Sequence, residues 1–413
     1  MQKGLGMQTV LITGAASGIG RDTARLFAGA GWQCVLVDRN AQALQQVGQS
    51  LPPPASAAHV MHCVDLTEPQ QIAMLARGTP ALDAIVNNAG MSDASNTPLV
   101  EQDPAQMARL LALNLAAPAA VVDACSSLLK PGARIVNVAS GAGLHAIPWR
   151  GAYSPSKAGL IAQTKSLALA RPEWCVTVLA PGFVRTELVD GLIQAGRIKP
   201  ENAVGKIPLG RMAAPAEMAQ ALYFLASAGA QPLSGQTMAV DGGSSIYGGS
   251  HRFEPASLEL LPLDLPTQLE VCGGDAAPWQ AVASAQASQP HYAACLDLSA
   301  LHGAPTSLLQ AVHVAATRFA ARYAQQASLT LLLPNNKAAR WQDAGDAAAA
   351  RMLVSTLACE WGSRALRINA LEVGSDLEPA RLHALLRYVC GPGAQYLTGQ
   401  TLLCRVATSQ ETA

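Results

Sequence analysis

Charge and aromatic rings are what this chain has least of. Only 14% of its 413 residues are charged and 4% are aromatic, and 28 basic side chains offset 28 acidic ones. A chain without net charge carries no electrostatic footprint for nucleic acid or for an anionic membrane, so neither is expected as a partner. Neutrality favours self-association over repulsion. Paired cysteine motifs are missing too. Cys34, Cys63, Cys125, Cys175, Cys272, Cys295, Cys359, Cys390 and Cys404 form no Cys-x-x-Cys pair, and most sit in apolar runs. They read as buried free thiols of a reducing compartment, with no metal site expected. No apolar stretch reaches about 18 residues, and the chain enters its first strand at Thr9 without a signal-peptide pattern. A cytoplasmic location is the expectation. Half of the residues are apolar, enough for a sizeable core, and the length suits two domains.

The first ~245 residues alternate apolar runs with helical patterns. Strands are expected at 9–13 (TVLIT), 34–37 (CVLV), 60–64, 84–87, 134–138, 176–179 and 237–240. Continuous apolar strands alternating with helices predict an α/β fold, a doubly wound parallel sheet covered on both faces. A Gly/Ser stretch at 241–250 and a Pro/Leu-rich segment up to Pro266 mark a boundary. The predicted organisation is a first domain over 1–249, a linker over 250–267 and a second domain over 268–413.

Thr13-Gly14-Ala15-Ala16-Ser17-Gly18-Ile19-Gly20 follows the first strand and opens a helix. Glycines there allow a tight turn and close approach to a pyrophosphate, which the helix N-terminus would receive. A lone glycine-rich turn is weak evidence; the strand–turn–helix setting strengthens it. Asp38, at the end of the second strand, suits a ribose diol and repels a 2′-phosphate, favouring NAD over NADP. Arg39 beside it is the one feature that could receive that phosphate. Asn87-Asn88-Ala89-Gly90 ends the fourth strand. Ser140 follows the fifth, with Tyr153 thirteen residues later and Lys157 four beyond it, on the same helix face. Taken alone, each of these is an ordinary turn or a solvent-facing pair.

Together, in this order and spacing, they resemble the short-chain dehydrogenase/reductase family over about residues 7–245. The resemblance implies a Rossmann-type sheet of seven parallel strands and reversible hydride transfer between a nicotinamide and an alcohol or carbonyl. It makes Tyr153 the general acid/base, with Lys157 and the nicotinamide charge favouring its phenolate. Ser140 would hold the substrate oxygen. Asn114 would be the fourth catalytic residue, set in a helix irregularity to which Pro118 contributes. The cofactor would meet Gly14, Ser17, Gly18, Ile19, Gly20, Asp38, Arg39, Asp65, Leu66, Asn87, Ala89, Gly90, Tyr153, Lys157, Pro181, Gly182, Val184 and Thr186. Thr177 stands where the family usually has Asn. Residues 187–211 would form the variable substrate lid, with Leu188, Val189, Leu192, Ile193 and Ile207 able to face an apolar small-molecule substrate. His145, Trp149 and Arg150 lie near it in sequence, Arg150 as a solvated arginine or a carboxylate ligand.

The remainder partly repeats the first block. Ala394-Gln395-Tyr396-Leu397-Thr398-Gly399-Gln400-Thr401 echoes Ala230-Gln231-Pro232-Leu233-Ser234-Gly235-Gln236-Thr237, and Ser355-Thr356-Leu357-Ala358 echoes Lys165-Ser166-Leu167-Ala168. In this register Asp343 replaces Tyr153, Ala347 replaces Lys157, and Asn335 or Asn336 replaces Ser140. The strand and turn at 269–275 read as a relic of the glycine turn, and the Asn87–Gly90 region has no counterpart. This predicts a smaller, degenerate Rossmann-like α/β domain without catalysis, keeping helices near 307–324 and 347–361. Its alanines would pair those helices with 103–129 and 152–171 in an intrachain pseudo-dimer, with further homo-oligomerisation open. An unrelated binding module is the alternative. For the whole chain, the alternatives to an NAD-dependent alcohol dehydrogenase are an NADPH-dependent carbonyl or 3-oxoacyl reductase and a non-catalytic dinucleotide-binding regulator.

Overall fold

The computed structural model describes residues 7–93, 98–194, 196, 198–283, 290–301, 308–335, 343–375 and 377–405. The chain forms two compact bodies. One comprises Met1–Gly191, Ala214–Ala228 and Ser234–Thr237; the other comprises Leu192–Ala213, Gly229–Leu233 and Met238–Ala413. The substrate lid suggested by the sequence is thus shared, its first residues in one body and Leu192 onward in the other.

All seven expected strands are present: β1 (Thr9–Thr13), β2 (Gln33–Asp38), β3 (Val60–Cys63), β4 (Leu82–Asn87), β5 (Leu129–Val138), β6 (Cys175–Pro181) and β7 (Thr237–Val240). They lie in the order β3-β2-β1-β4-β5-β6-β7. Every residue of β1 and of β6 is buried, as continuous apolar sequence requires of a strand covered on both faces. Helices α1 (Gly18–Gly29), α2 (Ala41–Ser50), α3 (Pro69–Ile72), α4 (Pro104–Leu111), α5 (Ala117–Cys125), α6 (Tyr153–Ala170), α7 (Glu187–Gln194), α8 (Pro200–Val204) and α9 (Pro215–Leu225) connect them. Strand order reverses at β1, between β2 and β4, which is where a doubly wound sheet opens a ligand crevice. Val121, Val122 and Cys125 of α5 pack on Leu11, Val35, Ile85 and Ile135 of the sheet. The run Pro104–Leu128 is long and apolar enough to cross a membrane by length and composition, which the sequence expectation of no such stretch missed. Its Leu110, Asn114, Val121 and Cys125 are buried in the first body. All nine cysteines are free; Cys63 is exposed, contrary to the expectation of burial, and Cys272 and Cys359 are half-buried.

The second body carries a five-stranded parallel sheet of β8 (Thr267–Cys272), β9 (Tyr292–Asp297), β10 (Ala327–Pro334), β11 (Arg367–Val373) and β12 (Thr401–Leu403). With α10 (Leu308–Arg322), α11 (Asp343–Trp361) and α12 (Pro379–Cys390), it matches the expected helices closely. Read from its β8 edge, the order β8-β9-β10-β11-β12 reproduces β1-β4-β5-β6-β7. Among the described residues, what has no equivalent is the pair β2 and β3. This corrects one expectation: β9 stands in the place of β4, so the Asn87 region does have a counterpart, with Asp297 at the strand end. The register is supported by a shared contact. A Cβ on Gly235 would meet Ala168, and one on Gly399 would meet Ala358. Ala315, Ala316 and Ala350, expected at a helix contact with the first block, are buried in the second body's own core against Leu329, Leu331 and Ile368. Position 307, the expected start of a helix, and Asn336 lie outside the described residues, as does the side chain of Leu188.

Candidate active site

The glycine turn closes as its sequence requires. Gly14 and Gly18 have φ of +66° and +50°, in the left-handed region that glycine tolerates. A Cβ on Gly20 would collide with the Gly14 carbonyl, so α1 can start only with glycine there. Ser17 precedes α1 without capping it by its side chain. Asn88 Nδ2 donates to the carbonyls of Thr13 (3.0 Å) and Gly14 (3.3 Å), tying β4 to the turn. Ala16 N–H donates to Asp38 Oδ2 (3.1 Å) and Asn40 N–H to Oδ1 (3.0 Å), which fixes the Asp38 carboxylate at the end of β2. Arg39 is exposed beside it. Asp65 accepts from the Thr67 N–H (2.9 Å) and hydroxyl (2.7 Å), bonds that hold its carboxyl below the usual range; Leu66 is buried.

These features fit a dinucleotide. They leave no room for a side chain at Gly14 or Gly20, present N–H groups at a helix N-terminus, and already draw a carboxylate there. Glu187 Oε2 accepts from Gly18 N–H (3.2 Å), and its other oxygen pairs with Arg21. Partial burial would raise the Glu187 carboxyl, but bonds from its own backbone, Arg21 and Gly18 outweigh that and hold it low. Sequence reading missed Glu187, 169 residues away along the chain, because nothing local signals the contact. Thr186 lies against the same turn, its Cγ2 in van der Waals reach of a Cβ on Gly18. Thr186 N–H donates to Val184 O (3.0 Å). Pro181 ends β6, and its carbonyl faces Gly141.

The four residues of the expected catalytic set converge. Ser140 ends the loop after β5, and its hydroxyl stands near enough to the Tyr153 phenol at the start of α6 to favour the phenolate. Lys157, one turn on, has its Nζ 6.0 Å from the Tyr153 ring centre. Between α4 and α5 the helix widens into a π turn, Ala112–Ala116. Pro118 cannot supply the N–H that the Asn114 carbonyl would take in a regular helix, which accounts for the irregularity. Asn114 is buried, accepts from Met91 N–H (2.9 Å), and donates to Met91 O (2.8 Å) and Ser156 Oγ (3.2 Å). A Cβ on Gly90 would lie 3.3 Å from both Asn114 Oδ1 and Lys157 Nζ, so that glycine is what lets the two approach.

Electrostatics differ from the expectation. Burial pushes the Tyr153 phenol above its ordinary value, and the opposing pulls come from Ser140 and Arg150 rather than from Lys157. Lys157 instead donates to Val138 O (2.9 Å), and burial lowers its ammonium from 10.5 to about 8. The protein alone therefore does not poise Tyr153 near neutrality.

Asn87 departs from its expected place on the cofactor. Its amide donates to Asn137 Oδ1 (2.8 Å) and to Pro118 O (3.4 Å), and Asn137 in turn donates to Thr164 Oγ1 (2.9 Å). Side chains alternate along a strand, so Asn87 points into the helical layer and Asn88 faces the turn. Ala89 reaches the turn by its N–H, which donates to Thr13 Oγ1 (3.0 Å). Ile207, grouped with residues facing the substrate, is fully buried. Trp149 holds a φ of +64°, rare for an aromatic residue, and is 57% exposed. Thr177 is buried in β6 with no partner for its hydroxyl. Thr177→Val should raise stability by about 1 kcal/mol in urea unfolding, because an orphaned hydroxyl is removed without changing shape; a loss above that size would mean the hydroxyl is bonded.

Residues 14–245 match a family model described as enoyl-(acyl carrier protein) reductase. An uncharacterized short-chain type dehydrogenase/reductase of Sinorhizobium fredii is 40% identical over 261 residues, 59% of this chain and 45% of that protein. The chain belongs to the short-chain dehydrogenase/reductase family. It spans less than half of the Sinorhizobium relative but 96% of a 3-oxoacyl-(acyl-carrier-protein) reductase of Rickettsia prowazekii, to which it is 34% identical over 240 residues, 57% of this chain. A solved short-chain type dehydrogenase/reductase of Mycobacterium marinum superposes with a TM-score of 0.52 at 27% identity, over 57% of this chain and 95% of that one. Short-chain dehydrogenase/reductases are oxidoreductases that use NAD(P) and act on small molecules. These matches cover the first block.

Proposed function

We propose that the chain transfers a hydride between NAD(H) and a secondary alcohol or the corresponding carbonyl, with Tyr153 as general acid/base. The observation that carries this is the convergence of Ser140 on the Tyr153 phenol, beside a buried Lys157 and an Asn114 fixed in a π turn. Bound nicotinamide supplies the hydride acceptor or donor. Ser140 orients the substrate oxygen, Tyr153 takes or gives its proton, and Lys157 holds the nicotinamide ribose while its charge favours the phenolate. Asn114 holds the water that passes the proton onward. Gly14, Ser17, Gly18, Ile19 and Gly20 receive the pyrophosphate, and Asp65 with Leu66 the adenine. Pro181, Gly182, Val184 and Thr186 receive the nicotinamide amide.

An apolar substrate is favoured by the segment between Ser140 and Tyr153. Leu144, Ile147 and Trp149 there are 39%, 42% and 57% exposed, so three large apolar side chains await a partner. The fixed Asp38 carboxylate supports NAD. Asp38→Ala should weaken NAD at least tenfold and favour NADP relatively, since a charge-assisted bond to the ribose is lost together with the repulsion of a 2′-phosphate. Unchanged NAD affinity by calorimetry would remove Asp38 from the site. A second reading, an NADPH-dependent 3-oxoacyl reductase, draws on the Rickettsia relative and on exposed Arg39; NADPH oxidation with a 3-oxoacyl thioester discriminates it. We further propose that residues 268–413 are a degenerate family copy. Asp343 opens α11 where Tyr153 opens α6, and among the described residues the second block has no counterpart of β2 and β3, the strands flanking the adenosine half of the site.

A further inference from the structure

The far half of the lid is gripped by the second block. Pro208 to Arg211 run between Gly242 and Tyr396, all in the second body. Leu209 N–H donates to Gly242 O (3.2 Å), Gly242 N–H donates to Tyr396 O (3.0 Å), and the Tyr396 hydroxyl donates to Arg211 O (2.8 Å). The Arg211 guanidinium stacks 4.8 Å over the Tyr396 ring, which is fully buried. A Cβ on Gly362 would overlap the Pro208 carbonyl, and one on Gly242 would touch Ile207 and the Tyr396 ring. Downstream chain closes the grip: Ala256 N–H donates to Gly210 O (2.8 Å) and Phe253 N–H to Gly205 O (3.1 Å). One further bond ties the chain beyond β12 to the corresponding turn of the first block. Arg405 N–H donates to Pro232 O (2.9 Å), and Pro232 is the first-block counterpart of Tyr396. Tyrosine at 396 is thus a departure from the copied sequence, and its hydroxyl goes to the lid.

We propose that the second block anchors the substrate lid, with Tyr396 as the positioning residue that fixes its far end. The proposal rests on reading residues 187–211 as that lid. The lid is a single covalent segment. Its near end is held at the glycine turn through Glu187, and its far end is held by Tyr396. Fixing the far end limits the conformations the intervening residues sample, so the anchor acts on substrate affinity rather than on the proton-transfer step.

The test uses the full chain with NAD, comparing wild type with Tyr396→Phe, which keeps the ring and removes one bond, and Gly362→Ala. Amide hydrogen exchange is read over 205–211 and, as a control, over β1 and β5. Exchange of the lid amides should quicken about fivefold in Tyr396→Phe, the worth of one hydrogen bond, with the strands unchanged. With 2-octanol as probe, KM should rise by a similar factor and kcat stay within about twofold. Unchanged lid exchange in both variants overturns the anchor. Faster exchange with unchanged KM overturns its role in substrate affinity. If wild type does not oxidise 2-octanol, the KM comparison moves to a 3-oxoacyl thioester with NADPH. Failure of both substrates overturns the functional reading and with it the role in substrate affinity, while the exchange arm still decides the anchor.

Discussion

Tyr153→Phe should lower turnover by about 10³-fold, some 4 kcal/mol of transition-state stabilisation, while NAD affinity stays within about twofold. The phenol oxygen is the only atom lost, and the ring keeps its place at the start of α6. The Ser140 hydroxyl still accepts from Ala142 N–H (3.1 Å), so the loop after β5 retains its shape. The structure adds a pH signature. In the free protein burial raises the phenol above its ordinary value, and Lys157 is turned to Val138 O. A difference titration of wild type against Tyr153→Phe, followed by tyrosinate absorbance, should place the missing ionisation above pH 10 without NAD. It should move to lower pH with NAD bound, because a cationic nicotinamide and an ammonium released from Val138 both favour the phenolate. Turnover within tenfold of wild type would remove Tyr153 from the proton transfer, whatever the titration shows.

The first block's site was legible because its signals are local. A glycine turn after a strand, a Tyr and Lys four apart, and a proline four residues after Asn114 each fix geometry within a turn or two of helix. The π turn at Ala112–Ala116 follows from one missing N–H. What escaped the sequence depends on contacts far along the chain or on a strand's exact end. Asn87 and Asn88 exchange roles according to which one the pleat turns outward. Glu187 reaches Gly18 only after the sheet has brought β6 beside β5 and the chain back to the turn. The phenol's environment depends on where Lys157 Nζ points, and a main-chain carbonyl with no sequence identity decides that.

The sequence of the second block reads as that of a smaller, degenerate α/β domain but does not reveal which strands it holds. Its echoes lie in β11, β12 and the helices before them, where a packed core constrains Ala and Leu positions. The end of β9 and the chain after it read Leu296-Asp297-Leu298-Ser299-Ala300, where the end of β4 and the chain after it read Val86-Asn87-Asn88-Ala89-Gly90, and no shared motif aligns them. Only the strand order exposes the equivalence. After β8 there is no room for a cofactor turn like that at Gly14: a Cβ on Gly273 would strike Ser299 and Asp297, so the space beside it is filled by side chains.

Arg367→Met should destabilise the second body by about 3 to 5 kcal/mol, the largest stability effect expected of a single change here. Arg367 opens β11, is 1% exposed, and replaces the small Cys175 of β6. Each of its five guanidinium N–H groups has a partner, and all partners are neutral. Nε donates to the Tyr292 hydroxyl (3.1 Å), Nη1 to Val389 O and Leu397 O (both 3.1 Å), and Nη2 to Cys390 O (3.5 Å) and Gly391 O (2.9 Å). Val389 and Cys390 are the last residues of α12 and Gly391 its C-cap. The guanidinium therefore meets the negative end of a helix dipole and satisfies carbonyls that a helix terminus leaves open. Methionine fills much of the volume but leaves those carbonyls buried and unbonded, which is where the cost arises. Lysine keeps the charge yet has one nitrogen in place of a planar fork, so Arg367→Lys should recover less than half of the loss. Urea unfolding should show an earlier transition for Arg367→Met, with Arg367→Lys between it and wild type. A variant as stable as wild type would mean that the helix end finds water instead.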